Sequence, residues 1–278
     1  MMPPASPGAT FLPVAFVAHG APMLALDAAK GAELRRWAEQ MPRPRSILAI
    51  SPHWQTRDAT IGATTSLPLL YDFTGFDRAL YEVKYPYTPA PELAARVEEL
   101  LAPSAPVVRD ASRKLDHGVW VPLLHMYPAA DVPVVQLSLP RRSPEELFAL
   151  GKRLAPLHDE GTLILTSGNV THNLRRVDFA GTAATPSWAR DFDAWVADVL
   201  ARGDFDALLA FRVRAPGASV AHPTDEHFLP IMVAAGAASA RFRRATFPVP
   251  DVEGDLFEYA SLSRRCVQLE TEHVALRG

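Results

Sequence analysis

Three short runs of almost unbroken apolar residues constrain the fold of this chain most: LPVAFVA (12–18), SILAI (46–50) and TLILT (162–166). A strand with one face in water alternates polar and apolar residues. These runs do not, as expected where helices cover both faces of a sheet. A fourth run, VPVVQL (132–137), reads as a further strand. Between the runs lie stretches of helical spacing. Residues 28–40 place Leu34 and Trp37 on one face, and 91–101 open on a proline. Residues 143–157 begin with Ser143 and Glu146 in capping-box register. Residues 119–126, 187–202, 205–211 and 226–238 complete the helical set, with Thr224 placed to cap the last. Residues 60–64, 107–108, 246–249 and 256–259 read as minor strands, and 67–89 as an aromatic loop. The alternation predicts an α/β fold. No linker, charge block or repeat divides the chain, so one domain is expected over 11–278, behind a loose leader at 1–10.

Composition removes several functions. With 28 basic against 31 acidic residues the net charge is −3, and no Lys/Arg block is present to neutralise phosphates, so nucleic acid is not an expected partner. A hydrophobic content of 48% excludes disorder for most of the chain. Cys266 is the only cysteine, which rules out a disulfide scaffold, fits a reducing cytoplasm and leaves that residue as structural filler. No run reaches the roughly 20 apolar residues of a membrane span. The opening MMPPASPGAT lacks the basic and apolar regions of a signal peptide.

The nine histidines carry the functional signal. His19 follows the first run directly, His53 stands three residues past the second, and His172 six past the last. Loops beyond the carboxyl ends of strands in an open α/β sheet converge on one edge, where ligands bind. Imidazoles there bind first-row metals or move protons near neutral pH. Gly20 lets the backbone approach a bound group, and Pro52 turns the chain ahead of His53. The densest cluster is HPTDEH (222–227), where either Glu226 or His227 could face a metal. His125 reads as a core residue, and His158 and His273 as solvated or capping ones. Fingerprints of nucleotide-binding loops, HExxH zinc sites and GxSxG nucleophiles are absent, and Ser167-Gly168-Asn169 resembles a nucleophile loop only weakly.

Six segments in order carry a family resemblance: AHGAPMLAL (18–26), ILAISPHW (47–54), YDFTGF with LYEVKYP (71–86), LDHGVWVPLLHMYP (115–128), TSGNVTHNL (166–174) and HPTDEHFLPIMVAAGAA (222–238). In these the chain resembles the class III extradiol ring-cleavage dioxygenases, the LigB-like superfamily, in its DOPA 4,5-dioxygenase branch. The resemblance implies a mixed sheet between helices and a mononuclear non-haem metal at one edge. It implies His19, His53 and His227 as metal ligands, with Glu226 the alternative third. It implies His172 as the acid–base residue, close enough to add a fourth ligand without substrate, and His117 as the residue that hydrogen-bonds substrate or oxygen. His222 would support the site from behind.

The implied reaction opens a catechol-type aromatic with O2, outside its two hydroxyls, to a muconic semialdehyde. The expected metal is Fe(II), with Zn(II) possible in the purified protein, and the expected partners are a small aromatic substrate and O2. The loop from Tyr71 to Tyr87 is a plausible substrate wall or, equally, core or lid. Two competing readings are a zinc hydrolase on the same histidines, with His172 as base, and a protein that binds a metal or small aromatic without turnover.

Overall fold

The computed structural model describes residues 12–104, 106–176 and 184–242. Its six strands are β1 (Val14–Ala18), β2 (Ser46–Thr56), β3 (Thr60–Ile61), β4 (Val108–Arg109), β5 (Val134–Pro140) and β6 (Thr162–Gly168). They form one mixed sheet in the order β1-β6-β2-β5-β3-β4. The strands from β1 to β5 in that order run parallel, β3 lies antiparallel to β5, and β4 runs parallel to β3.

The apolar runs are apolar throughout because alternate residues enter two different cores. Val14, Phe16, Leu48, Ile50 and Ile164 face the core closed by the helices Pro91–Leu101, Pro144–Leu154, Ser187–Ala201 and Pro230–Phe242. Ala15, Val17, Ile47, Ala49, Leu163 and Leu165 face the opposite core, beneath Ala28–Gln40 and His117–Met126. Leu34 and Trp37 are buried there, as the helical spacing predicts.

Several local expectations are met by identifiable chemistry. The Ser143 side chain accepts from the Glu146 amide while the Glu146 carboxylate accepts from the Ser143 amide, a complete capping box. His125 is buried and its Nε2 lies 2.8 Å from the Leu24 carbonyl oxygen.

Others are corrected. β2 does not stop at Ile50 but continues to Thr56, so His53 stands inside a strand rather than in a loop. The ladder to β5 jumps from Ile50↔Leu137 to Gln55↔Leu139, and the surplus residues bulge out where His53 sits. The final helix starts at Pro230, not Glu226, because proline fits a first helical position; Thr224 bonds to Glu226 instead of capping it. The expected helix over 143–157 breaks at Ala155, and His158 lies buried in the short helix Pro156–Asp159 rather than solvated. The leader at 1–10, the minor strands at 246–249 and 256–259, Cys266 and His273 lie outside the described residues.

Candidate metal centre

β1, β2 and β6 end on the same edge of the sheet, and that edge collects the histidines. His19 leaves β1 with its amide donating to the Gly168 carbonyl at 3.2 Å. His53 projects from the bulge in β2. His117 occupies the first turn of the helix His117–Met126, two residues earlier than its apolar pattern predicts. His172 follows β6, and His227 lies in the turn before Pro230.

The five rings meet. Ring centroids are 4.9 Å apart for His19 and His53, 4.0 Å for His53 and His117, and 5.4 Å for His19 and His117. His227 stands 5.5 Å from His19 and 5.1 Å from His53. His172 lies flat on His227, with centroids 3.5 Å apart and planes 9° from parallel. By donor atoms the cluster has two halves: His19, His53 and His117 within 4.8 Å of one another, and His172, Glu226 and His227 within the same span.

Two close approaches shape this pocket. A Cβ on Gly168 would strike the His227 carbonyl oxygen, so only glycine lets that turn dock on β6, where the Asn169 amide donates to the same carbonyl at 2.9 Å. A Cβ on Gly118 would meet Ser51 Oγ and lie 2.9 Å from His53 Cδ2, so this glycine makes room for the bulge.

Each ring in the cluster's centre has an oxygen partner beside Nδ1. His19 Nδ1 is 2.7 Å from Ser167 Oγ, His117 Nδ1 is 2.9 Å from Asp72 Oδ1, and His227 Nδ1 is 3.1 Å from Glu226 Oε1. His53 Nδ1 faces Asp72 Oδ2 at 3.6 Å. This is the usual support for metal-bound imidazole: a partner on one nitrogen fixes the tautomer and turns the other toward the ion.

Three of the cluster's rings, His19, His53 and His172, are also held neutral. Burial pushes His19 well below the ordinary histidine range, and the surrounding imidazoles push the same way. Burial, then His117 and His227, take His53 down to about 2 against the opposing pull of Asp72. Burial and His227 take His172 down to about 3. Glu226 stays ionised, at about 2, chiefly through its bond to His227.

The donor set fits a cation. His19 Nε2 and His53 Nε2 lie 3.1 Å apart. One ring can donate to the other across this gap, and with hydrogen on both Nδ1 atoms the two Nε2 lone pairs would instead face a shared ion. Two imidazole nitrogens about 2.0–2.1 Å from one tetrahedral ion stand about 3.3 Å apart, close to the spacing observed.

His222 supports the cluster from behind. It is fully buried, its Nε2 lies 2.6 Å from the Val170 carbonyl oxygen, and Phe192 and Phe228 pack on its ring. The His172 amide donates to Ala221 O at 2.9 Å and Asn173 Nδ2 to Val220 O at 2.6 Å, so the His172 loop is tied to 220–222.

The aromatic loop divides. Phe73 stands edge-on to His117 at 5.6 Å and packs on Phe76 and Tyr81. Tyr85 and Tyr87 are buried core residues, and the Tyr85 hydroxyl donates to Tyr127 O.

Sequence reasoning singled out every histidine of the cluster and Glu226, but missed Ser167 and Asp72 as oxygen partners. Ser167 is buried against His19 and is no exposed nucleophile. Asp72 lies inside the YDFTGF segment, where an acid among aromatic residues was the available signal. Behind the site, Asp116 is fully buried, with its carboxylate 2.6 Å from both Arg113 Nη2 and Gln136 Nε2.

Comparison with known proteins agrees with this architecture. The family described as the catalytic LigB subunit of aromatic ring-opening dioxygenase matches residues 14–263. A 4,5-DOPA dioxygenase extradiol of Beta vulgaris is 41% identical over 230 residues, 80% of this chain and 85% of that protein. Its namesake in Escherichia coli K12 is 37% identical over 266 residues, 94% of this chain and 95% of the relative. A crystal structure of an uncharacterised Escherichia coli K12 protein superposes with a TM-score of 0.70 at 35% identity, covering 82% of this chain and 90% of that one.

Proposed function

Since the chain belongs to the LigB family of aromatic ring-opening dioxygenases, we propose that it is a metal-dependent extradiol dioxygenase that opens a catechol-type, DOPA-like aromatic with O2 to a muconic semialdehyde. The observation that carries this reading is the meeting of five imidazoles at the edge where β1, β2 and β6 end. The family match favours ring opening over a zinc hydrolase on the same residues.

His19, His53 and His227 are the proposed ligands of one mononuclear metal, with Fe(II) the active ion and Zn(II) a substitute. When bound, Fe(II) supplies coordination positions for the catechol oxygens and dioxygen and a change of oxidation state that zinc lacks. His172 is the proton acceptor. Its ring is parallel to that of His227, so the in-plane lone pairs of the two do not converge on one ion, and in its neutral form one ring nitrogen is free to accept a hydrogen bond from a catechol hydroxyl. His117, held by Asp72 at Nδ1, directs Nε2 inward, where its lone pair accepts from a substrate hydroxyl. Phe73, edge-on to His117, offers a wall for the substrate ring. His53 and His172 are less buried than His19, which marks the side of entry.

One observation favours a second arrangement. The donor atoms of His19, His53 and His117 all lie within 4.8 Å of one another, while His227 is grouped with His172 and Glu226. In that arrangement His117 is the third ligand and His227 lines the pocket with His172.

Among the described residues no helix is long and apolar enough to cross a membrane; we place the enzyme in the cytoplasm on its single cysteine. The test is anaerobic loading with Fe(II), followed by O2 and a panel of catechols including DOPA. Oxygen uptake with a yellow ring-opened product is expected. Bound iron with no uptake across the panel overturns the proposal.

A further inference from the structure

Asp72 places one carboxylate oxygen against each of two rings of the cluster. Its Oδ1 accepts from the His117 backbone amide at 3.0 Å and lies 2.9 Å from His117 Nδ1. Its Oδ2 lies 3.6 Å from His53 Nδ1, a charge contact rather than a hydrogen bond. The side chain is 18% exposed, and the two rings it touches are themselves in contact, with centroids 4.0 Å apart. Its neighbours in sequence hold it in place. The Tyr71 hydroxyl donates to Val83 O at 2.6 Å, and Phe73 and Tyr71 pack on Trp120.

An ionised carboxylate only accepts hydrogen bonds. Oδ1 already accepts from the His117 amide, so toward Nδ1 of the same residue it acts as an acceptor as well. Facing two Nδ1 atoms with one anion, the fold favours hydrogen on both of them and leaves both Nε2 lone pairs for the centre. We propose that Asp72 is a positioning residue that sets the tautomers of His53 and His117 together, preparing the ligand ring and the ring that accepts from the substrate hydroxyl through one side chain. The inference rests on the reading of His53 as a metal ligand.

The geometry separates the two roles in a single variant. Both His117 bonds use Oδ1 and the His53 contact uses Oδ2. In Asp72→Asn the amide oxygen is retained by the two His117 donors, which turns the amide NH2 toward His53 Nδ1. A donor there favours the His53 tautomer with hydrogen on Nε2, the form that does not ligate. Zinc affinity, measured by competition with a chromophoric chelator, should fall about 10–100-fold, the usual cost of losing an outer partner of a ligand histidine. The thermal midpoint of the metal-free variant should stay near that of the parent. An Asp72→Asn protein that folds normally and binds zinc as tightly as the parent overturns the proposal.

A second measurement needs no variant. Ring-nitrogen NMR of the zinc-loaded parent should show hydrogen on Nδ1 of both His53 and His117; hydrogen on Nε2 of either ring overturns it. His53→Ala separates this inference from its premise. If His53→Ala retains zinc at parental affinity, the ligand assignment fails. If it loses zinc while Asp72→Asn does not, only the role of Asp72 fails.

Discussion

His222 makes the acid stability of this fold calculable. It is fully buried between Phe192 and Phe228, and burial lowers its pKa to about 4, against the partial opposition of its bond to Val170 O. In the unfolded chain the same ring titrates near 6.5. The folded value is the lower one, so between these limits the unfolded chain holds more protons, and stability falls as pH falls. Most of the loss occurs between about pH 6.5 and pH 4. Integrating one such group from about pH 7 to pH 5 removes about 2 kcal/mol.

Glutamine has an amide donor for the Val170 carbonyl and does not titrate. His222→Gln should therefore lose about 2 kcal/mol less than the parent over that interval, at a cost near neutrality of about 1–3 kcal/mol if the carbonyl is poorly satisfied. Urea unfolding of metal-free parent and variant at the two pH values measures both quantities. Equal losses in the two proteins would refute the reasoning, because they would mean that the buried ring takes up its proton without unfolding.

Three further outcomes follow from the site. His227→Ala should lose metal while His117→Ala keeps it, as read by metal content after gel filtration; the reverse result selects the arrangement with His117 as ligand. His172→Phe should retain metal and lower kcat by about 10²–10⁴, the range of a lost acid–base group, in the oxygen-uptake assay. Gly168→Ala should destabilise the fold by about 1–3 kcal/mol in urea unfolding and weaken metal binding, because the new methyl meets the His227 carbonyl.

The layout of the fold was legible where a single local signal decided it. Pro91 and Ser143 mark their helix starts, and the helix Ala28–Gln40 falls where Leu34 and Trp37 place it. The end of β2 was not legible, because apolar content stops at Ile50 while backbone pairing continues through polar residues to Thr56. The start of the helix Pro230–Phe242 was misplaced because Thr224 offers a cap in the sequence, although Pro230 carried the better signal. For the site, the strand-end histidines pointed to an edge that topology then closed. The role of Asp72 was hidden because its partner His117 is 45 residues away and both of its acceptor atoms matter only once the rings meet. His158 gave no periodic signal to separate a buried ring from a solvated one.

The order of strands has a consequence for biosynthesis. β1 has β6 as its neighbour in the sheet, and β6 is inserted between β1 and β2. Until the chain has been made through Gly168, β1 therefore lacks the partner it pairs with in the sheet, and closing so long a loop is slow. His227 emerges later still. Under the proposed ligand set of His19, His53 and His227, an ion can be fully held only after every strand of this six-stranded sheet has been made.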